Sequence, residues 1–373
     1  MTYAPGNVRD AIIGYLDACG GEASTKEIHL AISRRLSGVA SSSVRSYLNL
    51  NTPNLFERTG RGKYRLKLEA YEEASVSRFP SVEVGKATLY QCDCFDWLSQ
   101  REPQSVQAVV TDPPYGLLEY SGKEQQKLRD GRGGVWRVPP SFDGHVRSPL
   151  PRFTVLTEND RLQLQAFFCR LGYLLGRVLV PGANVLVASN PLVSHVVASA
   201  IAESGLEPRG VVIRTVMTMR GGDRPKNAHL EFSDVSVMPR SMWEPWLVFR
   251  KPLDGRVQDN LRKWKTGGFR RLSAERPFGD VIKSNPTPAS ERRLAPHPSL
   301  KPQAFLRQVI RASLPLGEGV VLDPFAGSGS SLAAANAVGY ESIGLESDAQ
   351  YFELAQASIE KLASIPVQQV NPV

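Results

Sequence analysis

Cysteine is scarce in this chain of 373 residues. Cys19, Cys92, Cys94 and Cys169 are scattered and show no metal-ligand spacing, so no metal site is expected. Cys92 and Cys94 flank one residue of a strand-like run, which predicts that they point the same way as reduced packing residues of a cytosolic protein. No apolar run reaches the roughly 18 residues of a membrane-spanning helix. The opening stretch, MTYAPGNVRDAIIGYLD, lacks the basic-then-apolar layout of a signal peptide, so a cytoplasmic, nucleoid-associated protein is expected. Internal repeats and low-complexity tracts are absent too, and a hydrophobic fraction of 42% is ordinary for a globular protein.

Acidic residues are outnumbered. The net charge is +8, and residues 250 to 296 carry twelve Lys or Arg against five Asp or Glu. Nearly the whole excess can be assigned to that stretch, and such a patch suits a phosphate backbone.

Residues 1–75 read as a small unit. Val8, Ile12, Tyr15 and Leu16 recur at helical spacing before a Gly-Gly stop. Ser24 followed by Glu27 is a capping-box signature for a second helix. SSSVRSYLNL predicts a third helix, with Val44, Tyr47 and Leu48 inward and Arg45 and Asn49 on the outer face. LFERTGRGKYRLKL alternates around Gly60-Arg61-Gly62, a hairpin with a basic tip. Three short helices and a basic hairpin predict a winged helix-turn-helix, with Arg45, Asn49 and Arg61 as DNA contacts; a protein-docking winged helix is the alternative. Residues 69 to 81 read as a linker. From 82 to 362, apolar β-rich runs alternate with helical ones, the pattern of an α/β domain with a largely parallel sheet.

Two motifs carry chemistry. VQAVVTDPPYG runs from a buried strand into Asp112-Pro113-Pro114-Tyr115. Two prolines stiffen the loop, fix the carboxylate and leave carbonyls free to accept bonds, and an aromatic face follows. A flat base bearing an amino group needs such a set. GVVLDPFAGSGSSLAAANAVGYESIGLESD (319 to 348) reads strand, glycine loop (Gly327-Ser328-Gly329), helix, strand, and ends on acidic Glu346. Glycines admit a ligand close to backbone, and a strand-end acid can hold a ribose diol. The Lys-Ser/Thr of a phosphate-binding loop is missing, and Leu332 stands where a dinucleotide fingerprint has its third glycine. A nucleoside without pyrophosphate, such as S-adenosylmethionine, fits better.

Together these motifs resemble those of the DNA amino-methyltransferases in the permuted beta arrangement, where the catalytic motif precedes the cofactor motif. The resemblance extends to His297-Pro298-Ser299-Leu300-Lys301-Pro302, to Leu89–Trp97 around Asp93 and to MWEPWLVFRKP (242 to 252). It leaves out the winged-helix head, residues 117 to 160 and much of 253 to 296, and Cys92 stands where relatives commonly have glycine.

It implies a Rossmann-like sheet, S-adenosylmethionine as cofactor, double-stranded DNA as partner, and a homodimer as a common assembly. Asp112 and the Pro113 carbonyl would accept the two N–H bonds of a flipped adenine N6, with Pro114 stiffening the turn and Tyr115 stacking on the base. Asp323, Phe325, Gly327 and Gly329 would surround the methionine part of the cofactor, Glu346 its ribose, Asp93 its adenine amine and Lys301 its carboxylate. Base readers would occupy 253–296, with Arg262, Lys263, Arg270 and Arg271 on DNA. N4 of cytosine suits the same pocket logic, although cytosine enzymes more often carry Ser in place of the Asp. RNA and a protein glutamine amide are weaker substrates on the basic segment and the head, and a DNA-binding regulator with an inactive methyltransferase body is the reading from another class.

Overall fold

The computed structural model describes residues 7–19, 22–36, 38–53, 55–66, 79–114, 158–216, 224–225, 228–297 and 299–367. Tyr115 and residues 117–157 of the readings above lie outside them. The chain forms two compact units, Met1–Arg78 and Phe79–Val373.

In the first unit, helices Asn7–Cys19, Thr25–Arg35 and Ser41–Leu50 accompany strands β1 (Ala23–Ser24), β2 (Phe56–Gly60) and β3 (Lys63–Leu66), ordered β1-β3-β2. Their apolar faces close a core around Ile12, Leu16, Ile28, Ile32, Val44, Leu48 and Phe56. The Ser24–Glu27 capping box is present with both reciprocal bonds, which satisfies two otherwise orphaned N–H groups of the second helix. Arg61-Gly62 turns the hairpin, and Gly62 adopts φ +75°, a conformation glycine takes without steric cost.

The second unit holds β4 (Ser81–Val84), β5 (Ala87–Gln91), β6 (Val106–Thr111), β7 (Leu179–Ala188), β8 (Glu207–Thr215), β9 (Trp243–Arg250), β10 (Val281–Lys283), β11 (Val320–Asp323) and β12 (Glu341–Glu346). They form one mixed sheet, β10-β8-β9-β7-β6-β11-β12-β5-β4. Only β9 and β4, among the described strands, run against the others. One face packs on Phe168, Leu171, Leu175, Val197 and Ile201 of helices Glu158–Val178 and Ser194–Glu203. The other packs on Phe305, Val309 and Ile310 of helix Gln303–Ser313. No helix among the described residues is long and apolar enough to cross a membrane.

Strand direction fixes two edges. Thr111, Asp323 and Glu346 end neighbouring strands on the carboxyl edge, where open α/β sheets gather their ligands. On the opposite, amino edge begin β7, β11 and β12. Because β9 is antiparallel, the chain leaves Arg250 at the amino edge. Gly182 donates to the carbonyls of Lys251 and Pro252. Asn260 and Thr266 donate to Pro181 O at 3.0 and 2.6 Å, and Asn184 donates to Gly268 O at 2.7 Å.

The segment 253–296, where base readers are expected, spans both edges. Its first half, with Arg262, Lys263, Arg270 and Arg271, packs at the edge away from Asp112, and only with β10 does the chain return to the carboxyl edge. These four cations are also engaged. Arg262 pairs with Asp259 at 3.1 Å and Lys263 with Asp254 at 2.6 Å. Arg270 donates to the Tyr340 hydroxyl at 2.7 Å, and Arg271 Nε to Ser273 O at 3.3 Å.

The missing third glycine has a structural answer. Leu332 is buried on helix Ser330–Val338, and the residue facing it on β12 is Gly344. A Cβ on Gly344 would come within 2.6 Å of Leu332 Cδ2. Close helix–strand packing therefore survives, with the glycine moved from helix to strand. Cys92 and Cys94 differ from expectation as well: β5 ends at Gln91, and Cys94 opens helix Cys94–Gln100. Both thiols are buried, and burial pushes the Cys92 thiol up to about 12.

Candidate active site

β6 and β11 are parallel neighbours, so Asp112 and the Asp323–Gly327 loop emerge side by side. One pocket is lined by Asp112, Lys301, Asp323, Phe325, Gly327 and Ser331, together with His297 and Trp246. Two motifs separated by some two hundred residues thus share one cavity. Pro113 is buried and Pro114 exposed, while Tyr115 falls outside the described residues.

Asp323 is fully enclosed. Thr111 Oγ1 donates to its Oδ1 at 2.6 Å, Phe325 N donates to the same oxygen at 3.1 Å, and the Ser331 hydroxyl donates to Oδ2. Burial pushes its carboxyl up to about 6, against the opposing effect of those donors. The His297 ring stands edge-on to Tyr351, 4.4 Å between centroids. Burial, assisted by the charge of Lys301, pushes it down to about 4, so the imidazole is neutral at physiological pH.

Lys301, expected at a cofactor carboxylate, lines the pocket beside Asp112: its Nζ lies 2.8 Å from Asp112 Oδ2 and 3.3 Å from Glu244 Oε2, with 11% of the side chain exposed. Burial works against its charge, but the two carboxylates outweigh burial and hold its pKa above the ordinary lysine value.

The two glycines of the loop part company. Gly327 has φ +52°, and a Cβ there would meet the His297 ring at 3.3 Å. Gly329 caps helix Ser330–Val338 with φ +77°, and a Cβ there would lie 2.5 Å from Ile359 Cγ1. Gly329 is thus required by packing against helix Ala349–Ser364, while its neighbours Ser328 and Ser330 line the pocket.

Glu346 accepts from Gly327 N and Asp348 N, both at 2.8 Å, and so closes the glycine loop. Asp93 lies just past β5, which pairs with β12 up to Gln91 opposite Glu346. It caps helix Cys94–Gln100, its Oδ1 accepting from Phe95 N at 2.8 Å. In the first unit Arg45 is exposed and reaches Ser41 Oγ at 3.2 Å, while Asn49 Oδ1 accepts from the Tyr64 hydroxyl at 3.0 Å, tying the third helix to β3. Arg61 is exposed at the hairpin tip.

Sequence reasoning missed Thr111, Ser331, Arg214 and Glu244. For Glu244 a signal existed: it is the lone acid of a strand that is apolar but for its closing Arg250, and a buried carboxylate demands a partner.

A family model described as DNA methylase (N6_N4_Mtase) matches residues 106–357. The type II methyltransferase M2.DpnII of Streptococcus pneumoniae is 21% identical over 285 residues, 75% of this chain and 92% of its own. The type II methyltransferase M.HindIII of Haemophilus influenzae is 23% identical over 302 residues, 73% of this chain and 96% of its own. Among solved structures, the PvuII DNA methyltransferase (cytosine-N4-specific) aligns with a TM-score of 0.48 at 14% identity, covering 74% of this chain and 89% of that one.

Proposed function

The chain belongs to the DNA methylase family, and on that premise we propose that it transfers the methyl group of S-adenosylmethionine to N6 of an adenine flipped out of double-stranded DNA. The observation that carries this reading is the shared pocket of Asp112 and the Asp323–Gly327 loop. Its chemistry suits S-adenosylmethionine. The lining offers an aromatic ring (Phe325), a backbone glycine and carboxylates, and its one cation among the described residues, Lys301, is already paired with Asp112 and Glu244. A polyphosphate would find no such neutralising charge, whereas a sulfonium nucleoside suits carboxylates. Phe325 and Gly327 would flank the methionine part and Glu346 the ribose. Asp93, beyond β5, would serve the adenine.

Bound there, the cofactor supplies an electrophilic methyl group. The residues of the chain do the rest. An exocyclic amine is a poor nucleophile because its lone pair is delocalised into the ring. Asp112 and the Pro113 carbonyl accept its two N–H bonds, draw the nitrogen toward tetrahedral geometry and stabilise the positive charge that develops on it. Pro113 and Pro114 hold the acceptors rigid, and Tyr115 gives the base a stacking face. Flipping costs a few kcal/mol, which contacts elsewhere on the duplex must offset. We read the first unit as a winged helix-turn-helix whose Arg45 and Arg61 meet phosphates and supply part of that contact.

The test is to supply the purified chain with methyl-labelled S-adenosylmethionine and duplex DNA and to map the modified bases. N6-methyladenine is expected. N4-methylcytosine would transfer the reading to the other amine, and cofactor binding without base modification would leave a DNA-binding regulator.

A further inference from the structure

We propose that Glu244, backed by Arg214, is a positioning residue for methyl transfer: it holds Lys301 against Asp112 so that the carboxylate keeps one orientation. The inference rests on the function proposed above. Arg214 and Glu244 are cross-strand partners on β8 and β9. Arg214 Nη1 lies 3.3 Å from Glu244 Oε2, the same oxygen lies 3.3 Å from Lys301 Nζ, and Lys301 Nζ lies 2.8 Å from Asp112 Oδ2. None of the four side chains is more than 15% exposed.

The row alternates in sign, plus, minus, plus, minus, from the β8–β9 pair to the tip of β6. Its far end is anchored: Arg214 also donates to Ser284 Oγ and Asn285 O, both at 3.0 Å, and faces the Phe305 ring at 5.3 Å. The Glu244 rotamer is fixed by Trp246 Nε1, which donates to Oε1 at 2.8 Å. Buried charges are tolerated only when paired, and removing one member leaves its neighbour uncompensated. With two carboxylates, Lys301 divides its charge between them. Deprived of Glu244, it either leans wholly on Asp112 and weakens that carboxylate as an acceptor for the amine, or gives up its proton and lets Asp112 turn. Both slow methyl transfer without touching the cofactor.

The charged groups facing Lys301 are Asp112 from β6, Glu244 from β9 and Arg214 from β8. Asp323 and His297 line the same pocket, and the charge of Arg214 also acts on Glu291. Burial and Arg214 lower the lysine pKa, whereas Asp112 and Glu244 raise it. The two supporting residues must therefore move the alkaline limb of kcat in opposite directions. Glu244→Gln is expected to bind S-adenosylmethionine as the wild type does and to keep KM for DNA. Its kcat should fall by about 10- to 100-fold, as for a misplaced catalytic group, and its alkaline limb should move to lower pH. Glu244→Asp should restore the limb. Arg214→Met should move it to higher pH, and carries the test if Glu244→Gln does not fold. An active wild type whose alkaline limb is unmoved in these variants overturns the inference alone. A wild type that does not methylate DNA overturns the functional reading, and this inference with it.

Discussion

Thr111 Oγ1 donates a 2.6 Å hydrogen bond to Asp323 Oδ1, so the last residue of β6 is tied directly to the last residue of β11. This bond joins the two motifs at their roots, and Asp323, buried there, has its pKa raised by burial to about 6 against the opposing effect of its donors. A raised carboxyl pKa favours the protonated folded form. The stability tied to it is complete below about pH 4 and is lost as pH rises through about 6, up to about 3 kcal/mol for a shift of some two units. Asp323→Asn should therefore gain stability relative to wild type between pH 4 and 7. Thermal unfolding of both proteins across that range measures it, and a constant difference in Tm would show that Asp323 does not titrate there.

Asp112→Ala removes the amine acceptor but leaves Lys301 its Glu244 partner. Methylation should fall roughly a hundredfold or more, in line with other preorganised electrostatic groups, while calorimetry should still register S-adenosylmethionine binding. Turnover near the wild-type rate would end the mechanism.

The loop glycines should fail differently. Gly327→Val sets a branched side chain at φ +52° and pushes on the His297 ring, so cofactor affinity should drop. Gly329→Ala collides with Ile359 Cγ1 and should cost about 1–3 kcal/mol of stability from strain alone. Calorimetric binding and chemical denaturation separate the two, and equal effects on both quantities would contradict the division.

Salt dependence of DNA binding tests the basic segment. Arg270→Ala breaks the bond to Tyr340 and should lower stability while leaving the salt slope unchanged. Neutralising Lys283, Arg292 and Arg293, which are exposed on the chain between the end of β10 and the pocket, should reduce the slope by up to about one for each phosphate left without its cation. The reverse result would place DNA on the amino edge.

Deleting residues 1–75 should leave a body that folds and binds S-adenosylmethionine but methylates DNA more slowly at limiting concentration, since phosphate contacts add affinity and register. Full activity at physiological salt would make the first unit a docking module for protein.

Periodicity and punctuation alone determined much of this protein. The three helices and hairpin of the first unit were legible because each is closed by local signals, such as the Ser24 box and the Arg61-Gly62 turn. TDPPY and the glycine loop were legible because their backbone chemistry is written in consecutive residues. What only the tertiary structure decided is long-range. Lys301 meets Asp112 and Glu244 because β6 and β9 flank β7 on the same sheet, a neighbourhood that no spacing encodes. Gly329 answers to Ile359 across a helix pair, and the role of a missing glycine passed to Gly344. The basic residues 262 to 271 lie away from the pocket because β9 runs antiparallel and delivers the chain to the amino edge. Composition records how much charge a segment carries, but the direction of the preceding strand decides which edge of the sheet receives it.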